Sequence, residues 1–119
     1  MKGYGAASDR SLKGDAQDAS TEDCLQMLRQ VSAKTYRRLD LPGGEGERLG
    51  FVAQDVEQAC PSAWANLVGT TQYKWSGNGN GGDIRTLDYA RLVCPVWQSC
   101  KAMLARIEQL EQRVAQLSA

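Results

Sequence analysis

From Val93 onward, apolar residues recur at alternating intervals of three and four: Val93, Val96, Cys100, Met103, Ile107, Leu110, Val114 and Leu117. That spacing is the a/d seam of a heptad repeat and predicts one long helix over residues 93–119. Pro95 is compatible with it only near the start, where a missing amide hydrogen is tolerated. A shorter stripe, Leu25, Met27, Leu28 and Val31, predicts a helix over residues 20–31. Ser20 is its N-cap, Asp23 a shortened capping-box partner, and Glu22 and Asp23 suit the positive end of its dipole. Residues 33–39 and 49–53 have the content of short strands. Pro42-Gly43-Gly44-Glu45-Gly46-Glu47 reads as a turn or exposed loop. Asp55 to Cys60 makes one or two helical turns stopped by Pro61. Tyr73-Lys74-Trp75 and Ile84 to Leu87 flank a loop rich in glycine and asparagine and read as a hairpin.

A stripe this regular is wide enough for self-association and narrow for a helix packed only on its own domain, so a coiled coil is the favoured reading. Arg106 and Arg113 fall at g positions and Glu111 at an e position, where Arg106 pairs with Glu111 of a parallel neighbour. Such a pair contributes only about 0.3–0.5 kcal/mol, which favours an orientation more than it holds an assembly. Valine and isoleucine at a with leucine at d favour a dimer, whereas apolar Leu104 at e widens the face and favours three or more strands. The pattern leaves the number open.

Composition narrows the function by exclusion. The chain has 119 residues, 14 basic and 14 acidic side chains and no histidine. One domain, or one small domain with an extension, is expected. No basic patch points to nucleic acid, and no long apolar run or signal-peptide pattern points to a membrane. The four cysteines, Cys24, Cys60, Cys94 and Cys100, form no Cys-x-x-Cys, and without histidine no common zinc site can be assembled. They read as free buried thiols, and no cofactor or metal is expected. The glycine-rich loop lacks the lysine and hydroxyl residue of a phosphate loop. Trp64, Trp75 and Trp97 read as core or subunit-interface residues. Asp55 and Asp88 read as helix caps rather than acids or bases.

The absence of histidine sharpens one candidate pair. A serine becomes a nucleophile only if a nearby group takes its proton, and with imidazole excluded the remaining base is a lysine with a lowered pKa. Ser8 and Lys13 stand five residues apart, an offset that suits neither a helix face nor one side of a strand, so a bend must join them. Taken by themselves they read as a turn-forming surface loop.

Three segments in order give the pair a context. Ser8-Asp9-x-x-Leu12-Lys13, Gly50-Phe51-Val52-Ala53-Gln54-Asp55-Val56-Glu57 (followed by Pro61) and Leu87-Asp88-Tyr89-Ala90-Arg91-Leu92 resemble the motifs of the intramolecular chaperone auto-processing domain. That family lies at the C-terminus of phage tailspikes, tail fibres and neck appendages, and inside myelin regulatory factor. The resemblance spans about residues 8–118 and implies an α+β fold, a small mixed domain of short strands and helices whose long C-terminal helix forms a parallel, trimeric coiled coil.

It further implies that residues 1–7 are a flexible remnant of an upstream protein, 8–92 the chaperone body and 93–119 the coiled-coil helix. Partners would be two further copies, as a homotrimer, and an upstream fibre or tailspike domain in cis, with no nucleic acid and no membrane. The cut would fall between Ala7 and Ser8, with Ser8 the nucleophile, Lys13 its base and Asp9 holding the loop by side-chain-to-backbone bonds. The setting would be the host cytoplasm during virion assembly, with the domain released from the mature particle. Ser11 stands where the family has arginine, and Gly14, Asp15 and Ala16 replace its polar and isoleucine positions. A non-catalytic trimerisation module of the same fold is therefore the alternative. A hydrolase acting on other molecules has little behind it.

Overall fold

The structure, a computed structural model, describes residues 6–41, 43, 46–79 and 81–118. Most of the lead-in, together with Pro42, Gly44, Glu45 and Asn80 of the two loops, lies outside the described residues.

Chain order is a single 3-10 turn at Arg10–Leu12, helix α1 at Thr21–Gln30, strands β1 (Lys34–Tyr36) and β2 (Arg48–Gly50), and helix α2 at Ala53–Ala59. Strands β3 (Val68–Tyr73) and β4 (Gly82–Leu87) follow, then a 3-10 turn at Ala90–Leu92 running into helix α3 at Val93–Ser118. The fold is α+β. β1 pairs antiparallel with β2, Thr35 opposite Leu49, and β3 with β4, Thr71 opposite Ile84, as two separate ribbons.

A side-chain cap explains the start of α1, and two other capping expectations are corrected. Ser20 Oγ accepts from the Asp23 amide at 3.2 Å, as its position predicts. Asp55 does not cap α2: the helix begins two residues earlier, Val52 is its N-cap without a side-chain bond, and Asp55 sits in the first turn facing the helix dipole. Asp88 is not the N-cap of α3 either: Tyr89 is the N-cap of the 3-10 turn that leads into it, and the Asp88 carboxylate supports that turn by accepting from the Arg91 amide at 3.2 Å.

Met27, Val56 and Leu67 form the core, with Val31, Phe51, Trp64, Leu87 and Leu92 packed around them. Cys24 joins it from the next turn of α1, and burial pushes its thiol pKa up. Only part of the expected cysteine burial holds: Cys60 is half-buried, while Cys94 and Cys100 are exposed. Of the tryptophans, Trp64 packs on the core and Trp97 is 68% exposed. Trp75 lies over Gly77, where a Cβ would meet its ring at 1.9 Å, which is why glycine stands there.

α3 meets the body through one narrow face. Pro95 and Ser99 are buried against α1 and Ala102 is half-buried, whereas the heptad residues Val96, Met103, Ile107, Leu110 and Val114 remain about half exposed. Beyond α1 the helix projects alone, which gives the chain its 68 Å long axis.

Candidate functional site

The sequence around Ser8 builds its own bend. Leu12 N donates to Asp9 O and Lys13 N to Arg10 O, both at 3.0 Å, closing the 3-10 turn. Ser11 Oγ donates to the Asp9 carboxylate at 2.8 Å and locks the turn from outside. So Asp9 does shape the loop, but through a side-chain partner rather than the expected backbone bonds. Ser11, the departure from the family pattern, is that partner.

The turn carries Lys13 back over the five-residue offset, and Lys13 Nζ donates to Ser8 Oγ. The contact brings the two side chains within hydrogen-bond reach across the bend. Residues 6–20 are all exposed. The pair therefore has hydrogen-bonding geometry without burial from the rest of the chain. Past Lys13 the chain turns at Gly14 and Asp15, whose φ of 52° is a left-handed conformation that aspartate adopts more readily than most residues.

The second and third motifs do a different job. Tyr89 Oη accepts from the Phe51 amide at 2.9 Å and donates to the Phe51 carbonyl at 3.3 Å, joining positions 38 residues apart. A Cβ on Gly50 would meet Tyr89 Oη at 2.7 Å and Tyr36 Oη at 2.8 Å, so only glycine lets the two tyrosines close over this strand end. The Glu57 carboxylate accepts from Arg85 Nε at 3.2 Å and ties α2 to β4. These contacts tie the two segments to each other and to the body of the fold.

One polar cluster was not anticipated. Arg38 donates to both Asp40 oxygens, at 2.7 and 2.5 Å, and Tyr73 Oη donates to Asp40 at 2.8 Å. The Arg38 bond first, and then that of Tyr73, hold the Asp40 carboxyl far below the usual carboxylate range, while the same bonds raise the Arg38 and Tyr73 pKa values. The Arg-x-Asp spacing was the available signal. Its role is to pin the segment after β1 to the β3–β4 hairpin. Among the described residues no group of acidic or cysteine side chains is placed to hold a metal ion, and no helix is long and apolar enough to cross a membrane.

Residues 8–65 match the model of the peptidase S74 family, described as chaperone of endosialidase. The chain carries an intramolecular chaperone domain of this family. No curated protein matches the chain. The matched span of the chaperone domain begins at Ser8 and includes the dyad turn and the Gly50–Glu57 segment, while Tyr89 and α3 lie beyond it.

Proposed function

We propose that this chain is a C-terminal intramolecular chaperone that trimerises through α3, assists the folding of an upstream viral fibre or tailspike, and then releases itself by cutting the Ala7–Ser8 bond. The observation that carries the reading is the Lys13 Nζ to Ser8 Oγ contact, made inside a closed turn at the first residue of the family match.

In this mechanism neutral Lys13 takes the Ser8 hydroxyl proton and Ser8 Oγ attacks the Ala7 carbonyl carbon. The C–N bond breaks, Lys13 returns the proton to the departing Ser8 nitrogen, and an ester joins Ala7 to Ser8 Oγ. Water then hydrolyses the ester, leaving a carboxylate on Ala7 and a free amine on Ser8. The step turns over once because nucleophile and substrate share one chain.

Timing follows from exposure. Trimer packing that covers the turn removes water from Lys13 and lowers its pKa, so the cut waits for assembly. The upstream protein is then severed only from a body that has already brought three chains together. Cleavage belongs to the host cytoplasm during virion assembly.

The full exposure of residues 8–20 and the Gly14-Asp15-Ala16 departure favour a second reading, a trimerisation module that has kept the fold and lost the cut. Intact mass of the chain carrying an N-terminal extension decides between them. Self-cleavage gives a fragment beginning at Ser8 in the parent and none in Ser8→Ala or Lys13→Ala. An uncut parent leaves the module.

A further inference from the structure

Beside α3 lies an open cleft of about 310 Å3 with almost wholly apolar walls, to which Met27, Leu28, Val31, Phe51, Leu92 and Val96 contribute. Leu28 and Val96 at its mouth are 46% and 47% exposed. On the other side of the same helix Trp97 is 68% exposed and Leu104 56%. Both observations are unusual for side chains this large, and the heptad register connects them.

With Val93 at a and Val96 at d, Trp97 and Leu104 occupy successive e positions and Ser99 and Arg106 successive g positions, and Leu92, in the turn that leads into α3, stands one heptad before Ser99. α1 covers Pro95, Ser99 and Ala102, the c and g positions, so α1 and the cleft lie on the g flank of the seam and Trp97 on the e flank. In a parallel in-register assembly the e flank of one copy faces the g flank of the next. The offset that sets Arg106 against Glu111 of a neighbour sets Leu92 against Trp97 of a neighbour, and Leu92 lines the cleft. It also sets Ser99 against Leu104 of a neighbour. There a second groove runs between α1 and α3, walled by Leu25, Leu28, Ala102 and Met103 together with Arg29 and Arg106.

We infer that the cleft is the receptor for Trp97 of the neighbouring copy, with Leu104 entering the groove above it, so that each chaperone body is clamped to the next through α1 as well as through the coiled coil. The inference rests on the parallel assembly proposed above and names what that assembly requires beyond its seam. It accounts for the change in character along the e positions: apolar at Trp97 and Leu104, beside α1, and charged at Glu111, farther along the helix. Tryptophan anchors in apolar pockets carry a large share of association energy in protein interfaces.

The test uses the whole chain. Sedimentation across a concentration series compares the parent with Trp97→Ala and with Leu28→Glu, a substitution on α1 that leaves every heptad position intact. Tryptophan emission follows the same series, with Trp97→Phe as the reference. The expected result is assembly of the parent with a blue shift that Trp97→Phe lacks, and dissociation constants raised at least about tenfold in both other variants, equivalent to about 1.4 kcal/mol. Assembly of all three proteins at one affinity, or a blue shift retained in Trp97→Phe, overturns the clamp and leaves the coiled coil standing. A parent that stays monomeric throughout overturns both.

Discussion

The body of this chain and its two ends differ in how far their groups are satisfied. In the body, Met27, Val56 and Leu67 are buried, Asp40 has Arg38 and Tyr73, and Tyr89 is locked to Phe51. At one end Ser8 and Lys13 hold each other in an exposed turn; at the other the heptad residues of α3 stand half exposed. The difference separates roles. A satisfied region sets stability at every concentration, whereas under the proposed function the exposed ends act only when another surface covers them. The core is small, and small cores are where added contacts count most for stability.

Substitutions that strike the body test the first half of the contrast. Met27→Ala removes a side chain only 5% exposed and is expected to cost about 2–5 kcal/mol in urea unfolding, at low and high protein concentration alike. Loss only at high concentration would place Met27 in the assembly instead. Tyr89→Phe removes the bonds to Phe51 and is expected to cost about 1 kcal/mol in the same measurement.

Asp40 sharpens the contrast through pH. Its folded-state pKa lies below the ordinary carboxylate value, so its contribution is present above that ordinary value and is lost as pH falls through the depressed one. Thermal unfolding between neutral and strongly acid pH should therefore show a smaller acid-dependent loss in Asp40→Asn than in the parent. Equal slopes would remove Asp40 from the account.

The smallest effect lies on the covered face of α3. Ser99 is fully buried, and its hydroxyl has no hydrogen-bond partner among the described residues. Ser99→Ala is expected to leave stability unchanged or raise it by up to about 1 kcal/mol, because an unsatisfied buried hydroxyl carries a desolvation penalty. A clear loss of stability would show that the hydroxyl is bonded in solution.

Legibility in the sequence divides along similar lines. α1 was readable from Ser20 and its apolar stripe, α3 from heptad spacing, and the β3–β4 hairpin from its glycine-rich loop, since each signal is local. Burial of Ser99 was not readable, because it arises where α1 crosses α3, whereas burial of Cys24 was expected with that of the other thiols. The Tyr89–Phe51 lock was hidden by its 38-residue separation, and Asp55 misled because α2 starts without a side-chain cap. At the dyad, the five-residue offset demanded a bend and a bend is present. The part played by Ser11 was illegible because it depends on where Asp9 points.

The central claim is that the cut at Ala7–Ser8 waits for the assembly formed by α3. Ile107 is 54% exposed at an a position of the seam, so Ile107→Asp should block association while leaving the stability of the dilute chain within about 0.5 kcal/mol of the parent. The decisive measurement is the cleavage time course of N-terminally extended parent and Ile107→Asp, followed by intact mass with the oligomeric state read in parallel. The account predicts a parent that assembles and then cleaves, and a monomeric variant that stays whole. A monomeric Ile107→Asp that cleaves at the parental rate would contradict it.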